Sequence, residues 1–149
     1  MTNKELIHSF ETDSLPQGSF HHADHVHLAF AYLSEYPVLE ALDKFATALK
    51  RYAAARGKSQ LYHETITHAY FFLIRERMAR IAAENCSIQD CPSQHYPSKD
   101  CSSKDWDDFA RRNPDLFAWK DGVLARYYQQ ATLESDLART VFLFPDKCC

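Results

Sequence analysis

Three glycines in 149 residues are few for a turn-rich β protein. No apolar run reaches the roughly 18 residues that a membrane-spanning helix needs. The start, Met1-Thr2-Asn3-Lys4-Glu5, lacks the charged-then-apolar pattern of a signal peptide, so a cytoplasmic chain is expected. A formal charge of −3 argues against nucleic acid, whose binders show a basic face, and Arg111-Arg112 is too small a cluster to make one. Five cysteines are an odd number, which fits free thiols better than a closed disulfide framework. What is present is ordinary for a globular chain, 46% apolar and 25% charged, and long enough for one domain with a real core.

The spacing predicts an all-α bundle of five to six helices in a single domain, 1–149. Residues 1–18 form a lead-in, with Leu6, Ile7 and Phe10 on a short docking helix that Pro16-Gln17-Gly18 breaks. Ser19 is placed to cap a first main helix reaching Ser34. Pro37 opens a second, on which Val38, Leu42, Phe45, Leu49 and Tyr52 repeat at helical spacing until Gly57. A third runs from Tyr62 to Ala83, with Ile66, Tyr70, Leu73, Ile74 and Ile81 as its inward stripe. Whether its aromatic residues pack inside or against a second copy in a homodimer is left open. Residues 85–104 are polar and aperiodic, a long loop. Trp106 to Ala110 opens another helix and Asn113-Pro114 breaks it. Val123 to Tyr128 suggest one more, and Thr132 is placed to cap a last helix through Val141.

Histidine is distributed unevenly. Four of eight lie in His21-His22-Ala23-Asp24-His25-Val26-His27, answered by Tyr62-His63-Glu64-Thr65-Ile66-Thr67-His68. At about 100° per residue, His22 and His25 share the arc of Val26, Ala29 and Leu33, while Asp24 and His27 fall outside it. His63 shares the stripe of Ile66, Thr67 and Tyr70, whereas Glu64 lines up with His68, Phe71 and Arg75 on a mixed face. Three inward imidazoles satisfy one another poorly unless something sits among them. His22, His25 and His63 are therefore candidate ligands of a divalent transition metal, zinc first, with iron or manganese as alternatives. Glu64 and Thr67 flank this set as candidate catalytic groups, Glu64 as a fourth ligand or general base. Tyr62 is a candidate donor to a substrate. Arg139, beside Leu137, Ala138 and Val141, either pairs with Asp24, Glu64 or Asp146 or receives an anionic substrate.

These residues lead to three readings. The first is a metal-dependent enzyme acting on a small molecule, hydrolytic because zinc with a nearby carboxylate suffices for that chemistry. The second is a non-catalytic metal- or small-ligand-binding module. The third is a structural protein whose histidines form a buried hydrogen-bond network. The paired Glu-x-x-His pattern of helical di-iron proteins is absent.

The chain also resembles a family of bacterial all-helical proteins. The likeness runs through Phe20-x-His22-x-Asp24-His25-Val26 and Tyr62-His63-Glu64-Thr65-x-Thr67, then Phe109 and Asn113-Pro114-Asp115-Leu116. It resumes at Tyr127-Tyr128, Leu133-x-Ser135-x-x-Ala138-Arg139 and Pro145-Asp146. The resemblance implies a helical fold, brings no activity with it, and favours His22, His25, His63, Glu64, Thr67 and Arg139. Residues 85–104 depart from its pattern. Cys86, Cys91, His95 and Cys101 there contain enough ligands for zinc, at gaps that match no short zinc knuckle, and Cys148-Cys149 receive no role.

Overall fold

The computed structural model describes residues 2–14, 20–88, 105–118 and 122–147, with side chains throughout except at 85–88. It is an all-α, single-domain bundle. The described residues form seven α-helices and no strand: α1 Asn3–Glu11, α2 His22–Glu35, α3 Val38–Ala55, α4 Glu64–Ile88, α5 Trp106–Arg112, α6 Gln130–Leu133 and α7 Asp136–Thr140. Short 3₁₀ turns fall at Ser59–Leu61, Pro114–Phe117 and Val123–Arg126. None of the helices is long and apolar enough to cross a membrane.

The centre of the bundle is α2, which packs on α1, α3 and α4. Val26 and the run Leu28 to Tyr32 are all buried, so this helix is covered on every side rather than along one stripe. The expected outward face does not exist: Ala31 is buried, and His27 stacks flat on Trp106 of α5 with ring centroids 4.1 Å apart. The lead-in is a true helix that buries Ile7 and Phe10 against α2. Thr2 caps it, accepting from the Glu5 N–H while the Glu5 carboxylate accepts from the Thr2 N–H. The stripe expected on α3 points inward, with Phe45 and Leu49 buried, and Gly57 ends the helix at a φ of +66° that favours glycine.

Further along, the helices depart from expectation in instructive ways. On α4 the apolar stripe is real at Ile74 and Ile81, but Phe71, assigned by spacing to the mixed face, is completely buried. The reason is that α3 covers this face, the Phe71 ring stacking on Phe45 with centroids 5.7 Å apart, while α7 packs elsewhere on α4. The helix also runs on to Ile88, beyond Ala83. Val123–Arg126 makes only a 3₁₀ turn, and the last helix is two short ones. Ser135, not Thr132, caps the second, its Oγ accepting from the Ala138 N–H. The Thr132 hydroxyl is bonded instead to the Asp146 carboxylate, which also accepts from the Gln129 N–H. Ser19, Cys91, His95, Cys101, Cys148 and Cys149 lie outside the described residues, as does the Cys86 side chain.

Two polar clusters tie the C-terminal half to the helical core. Arg77 on α4 makes a two-pronged contact with Asp115 at 2.8 and 3.1 Å and donates to Asn113, so the Pro114 turn is anchored by charge. The Arg77 guanidinium holds the Asp115 carboxyl below its usual range. The second cluster opens α4. Buried Thr65 donates to the carbonyls of Ala138 (2.7 Å) and Val141 (3.0 Å) and accepts from the Leu143 N–H at 3.1 Å. One hydroxyl therefore serves three backbone groups of the tail. Thr65→Val keeps the shape and strips these bonds, and a buried group left unpaired costs about 1–3 kcal/mol. The variant is expected to unfold in denaturant with a correspondingly lower stability; an unchanged midpoint would show that Thr65 does not strap the tail.

Candidate functional site

Between α2, α3 and α4 lies a cavity of about 900 Å³. Its floor is apolar and aromatic: Val26 and Ala29 from α2, Phe45 and Leu49 from α3, Phe71 and Ile74 from α4, all buried. Of the residues expected to form a site, His22, His25, Tyr62, His63, Thr67 and Arg139 all line this one space. Glu64 does not. Its carboxylate turns to His68 Nε2 at 3.1 Å and Lys50 Nζ at 3.7 Å.

The three histidines are each oriented by a backbone carbonyl. A carbonyl only accepts, so the ring nitrogen facing it must carry the proton and the other nitrogen keeps the lone pair. His22 donates through Nε2 to Leu116 O at 2.8 Å. His25 donates through Nδ1 to His21 O at 3.1 Å, one helical turn back. His63 donates through Nε2 to Leu133 O at 2.6 Å, while its Nδ1 accepts from the Ile66 N–H at 3.1 Å. Both His63 nitrogens are thus committed, and this ring links the start of α4 to the end of α6.

That inventory lends the expected three-histidine metal centre no support. A metal ligand needs an open lone pair, and His63 has none left without breaking the bond that opens α4. Among the described residues no group of three His, Cys, Asp or Glu side chains is placed to hold a metal ion. The donor set does not fit the expected zinc, iron or manganese.

His25 remains distinctive. Its ring packs on Phe20, centroids 4.3 Å apart, and the distal Nε2 has no donor among the described residues. Burial pushes its pKa down to about 4, and the nearby His22 adds to this; the bond to His21 O and the Asp24 charge oppose it. The ring is therefore neutral at pH 7, offering an acceptor inside the cavity.

Tyr62 Oη is sealed from solvent; among the described residues no group meets it in full hydrogen-bond geometry, with Thr67 and Glu64 the polar side chains near it. Burial raises its pKa, and the neighbouring Glu64 charge raises it further. Tyr70 is likewise raised by burial, and its ring meets His22 edge-on with centroids 4.9 Å apart. Arg139, expected either to pair with Asp24, Glu64 or Asp146 or to receive an anionic substrate, is exposed; it donates to Gln60 O at 3.2 Å and makes no ion pair among the described residues. Reasoning from spacing missed Arg56, Lys58 and the aromatic wall of Phe20 and Tyr52, which also line the cavity. Arg56 lies 3.6 Å from the Tyr52 ring centroid. The sequence signals for them were slight: Arg56 and Lys58 lie between the α3 stripe and the His63 motif, Tyr52 ends that stripe, and Phe20 opens the His22 motif.

The chain matches no family model, no curated protein and no solved structure. The site must be read from its own geometry.

The state of His25 sets a pH dependence. In the unfolded chain an imidazole titrates near 6.5, whereas the folded ring stays neutral until about 4. Below pH 6.5 the unfolded chain takes up a proton that the folded chain refuses. Stability contributed by His25 is therefore present above 6.5 and lost progressively as pH falls to about 4, by roughly 3 kcal/mol in all. His27, also depressed by burial, acts in the same direction and is retained in a His25→Gln variant. Denaturant unfolding between pH 7 and 4 should fall less steeply for that variant than for the parent. Parallel curves would mean that His25 is not held neutral by the fold.

Proposed function

We propose that this chain binds one small, largely apolar molecule in the cavity between α2, α3 and α4, with His25 Nε2 accepting a hydrogen bond from it. The observation that carries this is an apolar space of about 900 Å³ that contains a neutral imidazole with an open lone pair. Ligand pockets have this character, predominantly apolar walls with a few placed polar groups, and this volume lies at the upper end of their range. His63 supports the site without facing the ligand chemically, since both its nitrogens hold backbone groups, and His22 commits its Nε2 to the Leu116 carbonyl of the C-terminal half.

Binding is favoured over catalysis by the same ring. A general base works best when its pKa lies near the working pH, and about 4 makes His25 a weak base at neutrality. As a hydrogen-bond acceptor it suffers no such penalty. Metal-dependent hydrolysis asks for three open imidazole lone pairs, and His22, His25 and His63 leave two at most. Glu64, the expected general base, is turned away towards His68 and Lys50.

The test uses N-phenyl-1-naphthylamine, a neutral aromatic probe with one N–H donor whose fluorescence rises in apolar surroundings. The parent protein is expected to bind it saturably at one site per chain. Ala53→Trp places a large ring in the cavity lining from the half-buried side of α3 and should abolish binding. His25→Phe keeps the ring volume but removes the acceptor, and should weaken binding about fivefold, the worth of one net hydrogen bond. Absence of saturable binding by the parent, or binding untouched by Ala53→Trp, would overturn the assignment.

A further inference from the structure

The chain as a whole is acidic, with a formal charge of −3, yet the cavity lining has the opposite balance. Its charged residues are Arg56, Lys58 and Arg139, against Asp13 alone. Asp13 is committed to Arg56 at 2.8 Å. With that pair set aside, Lys58 and Arg139 remain, and neither meets a carboxylate among the described residues. Glu64, the acid closest to Lys58 along the chain, is held by His68 and Lys50, and Asp136 and Glu134, the acids closest to Arg139, make no ion pair with it among the described residues; none of the three lines the cavity.

These two cations share one place. Arg139 donates to Gln60 O, in the 3₁₀ turn Ser59–Leu61 that directly follows Lys58. Both side chains are exposed, as is Leu61 beside them, whereas the α2 and α4 floor of the cavity is buried. The lining is therefore graded, from an apolar floor through the neutral acceptor of His25 to a cationic opening. A planar guanidinium beside an ammonium suits a group with two or three anionic oxygens.

Resting on the binding function proposed above, we infer that the occupant is an amphipathic anion. Its apolar, ring-sized body lies against Phe71 and Tyr70, and its carboxylate, phosphate or sulfonate group sits at the opening between Lys58 and Arg139. A neutral molecule would use the floor and leave both cations without a partner.

Two probes separate this inference from the one it rests on. 8-Anilino-1-naphthalenesulfonate and N-phenyl-1-naphthylamine share one aromatic body and differ by the sulfonate. The parent protein is expected to bind the sulfonate roughly tenfold more tightly at low salt, as befits a charge-assisted contact, and added salt should erode the advantage because the opening is exposed to solvent. The double variant Lys58→Gln, Arg139→Gln should remove the advantage while leaving the neutral probe within about twofold of its parent affinity. Circular dichroism confirms that the variant keeps its helices. Equal affinity of the parent for both probes, or an advantage that survives in the double variant, overturns the anion while the cavity assignment stands. Failure of both probes to bind overturns the cavity assignment and the anion with it. In competition against the bound sulfonate, 1-naphthoate and 1-naphthyl phosphate then identify the preferred head group, and displacement by neither would also overturn the inference.

Discussion

The structure depends on the need to satisfy buried backbone groups where α4 begins. The C-terminal third contains little regular structure: α6 and α7 are helices of four and five residues, joined by turns. Segments this short cannot hold themselves together, because the first turns of a helix cost more order than they return. Their carbonyls and amides find partners on α4 instead. His63 takes Leu133 O, and Thr65 takes Ala138 O, Val141 O and the Leu143 N–H. This arrangement determines where Arg139 stands, since it lies one residue beyond a carbonyl that Thr65 grips. The cationic opening of the cavity is thus a consequence of how the tail is fastened.

The same carbonyl bonds decide the chemistry of the histidines. An imidazole has one proton and one lone pair when neutral, and a carbonyl partner uses the proton. His63 gives its lone pair to a backbone amide as well and is left inert. His25 gives its proton to the helix behind it and retains a lone pair within the cavity lining. Two rings of the same type, facing the same space, are thereby assigned different roles by their backbone neighbours. Histidine clustering is therefore a poor guide to metal binding until the partner of each nitrogen is known.

Much of the fold is legible from spacing, and the misses have one physical origin. The α3 stripe, the glycine stop at Gly57 and the break at Asn113-Pro114 follow from local rules and are found where expected. Phe71 was assigned to a mixed face and His27 outside the apolar arc because helical periodicity reads only one buried face, whereas α2 and α4 are covered on several. Helix length in the C-terminal third was misjudged for a related reason, since Asp146 takes Thr132 away from the cap that its sequence position suggests. That His22, His25, His63 and Thr67 face one space was legible from shared faces; that Tyr62 and Arg139 join them there was not. Nor was the nitrogen that each ring commits to a carbonyl, because Leu116 and Leu133 lie far along the chain and their carbonyls leave no trace in residue identity.

The cavity itself has an energetic meaning. Protein interiors pack to crystal-like density, and side chains lining a void lose dispersion contacts on the open side. Here the void arises where α2 offers the small apolar side chains Ala29 and Val26, beside His22 and His25, opposite Phe45 and Leu49 of α3 and Ile66 of α4. Tyr62 Oη, sealed and without a partner in full hydrogen-bond geometry among the described residues, adds a local cost. A fold that tolerates both retains a weakness at one place while satisfying its backbone carefully around it. An occupant restores the missing contacts of the floor, and mass action then transfers that gain to the stability of the whole bundle. Because α2, α3 and α4 all wall the space, the three longest helices would tighten together when it fills.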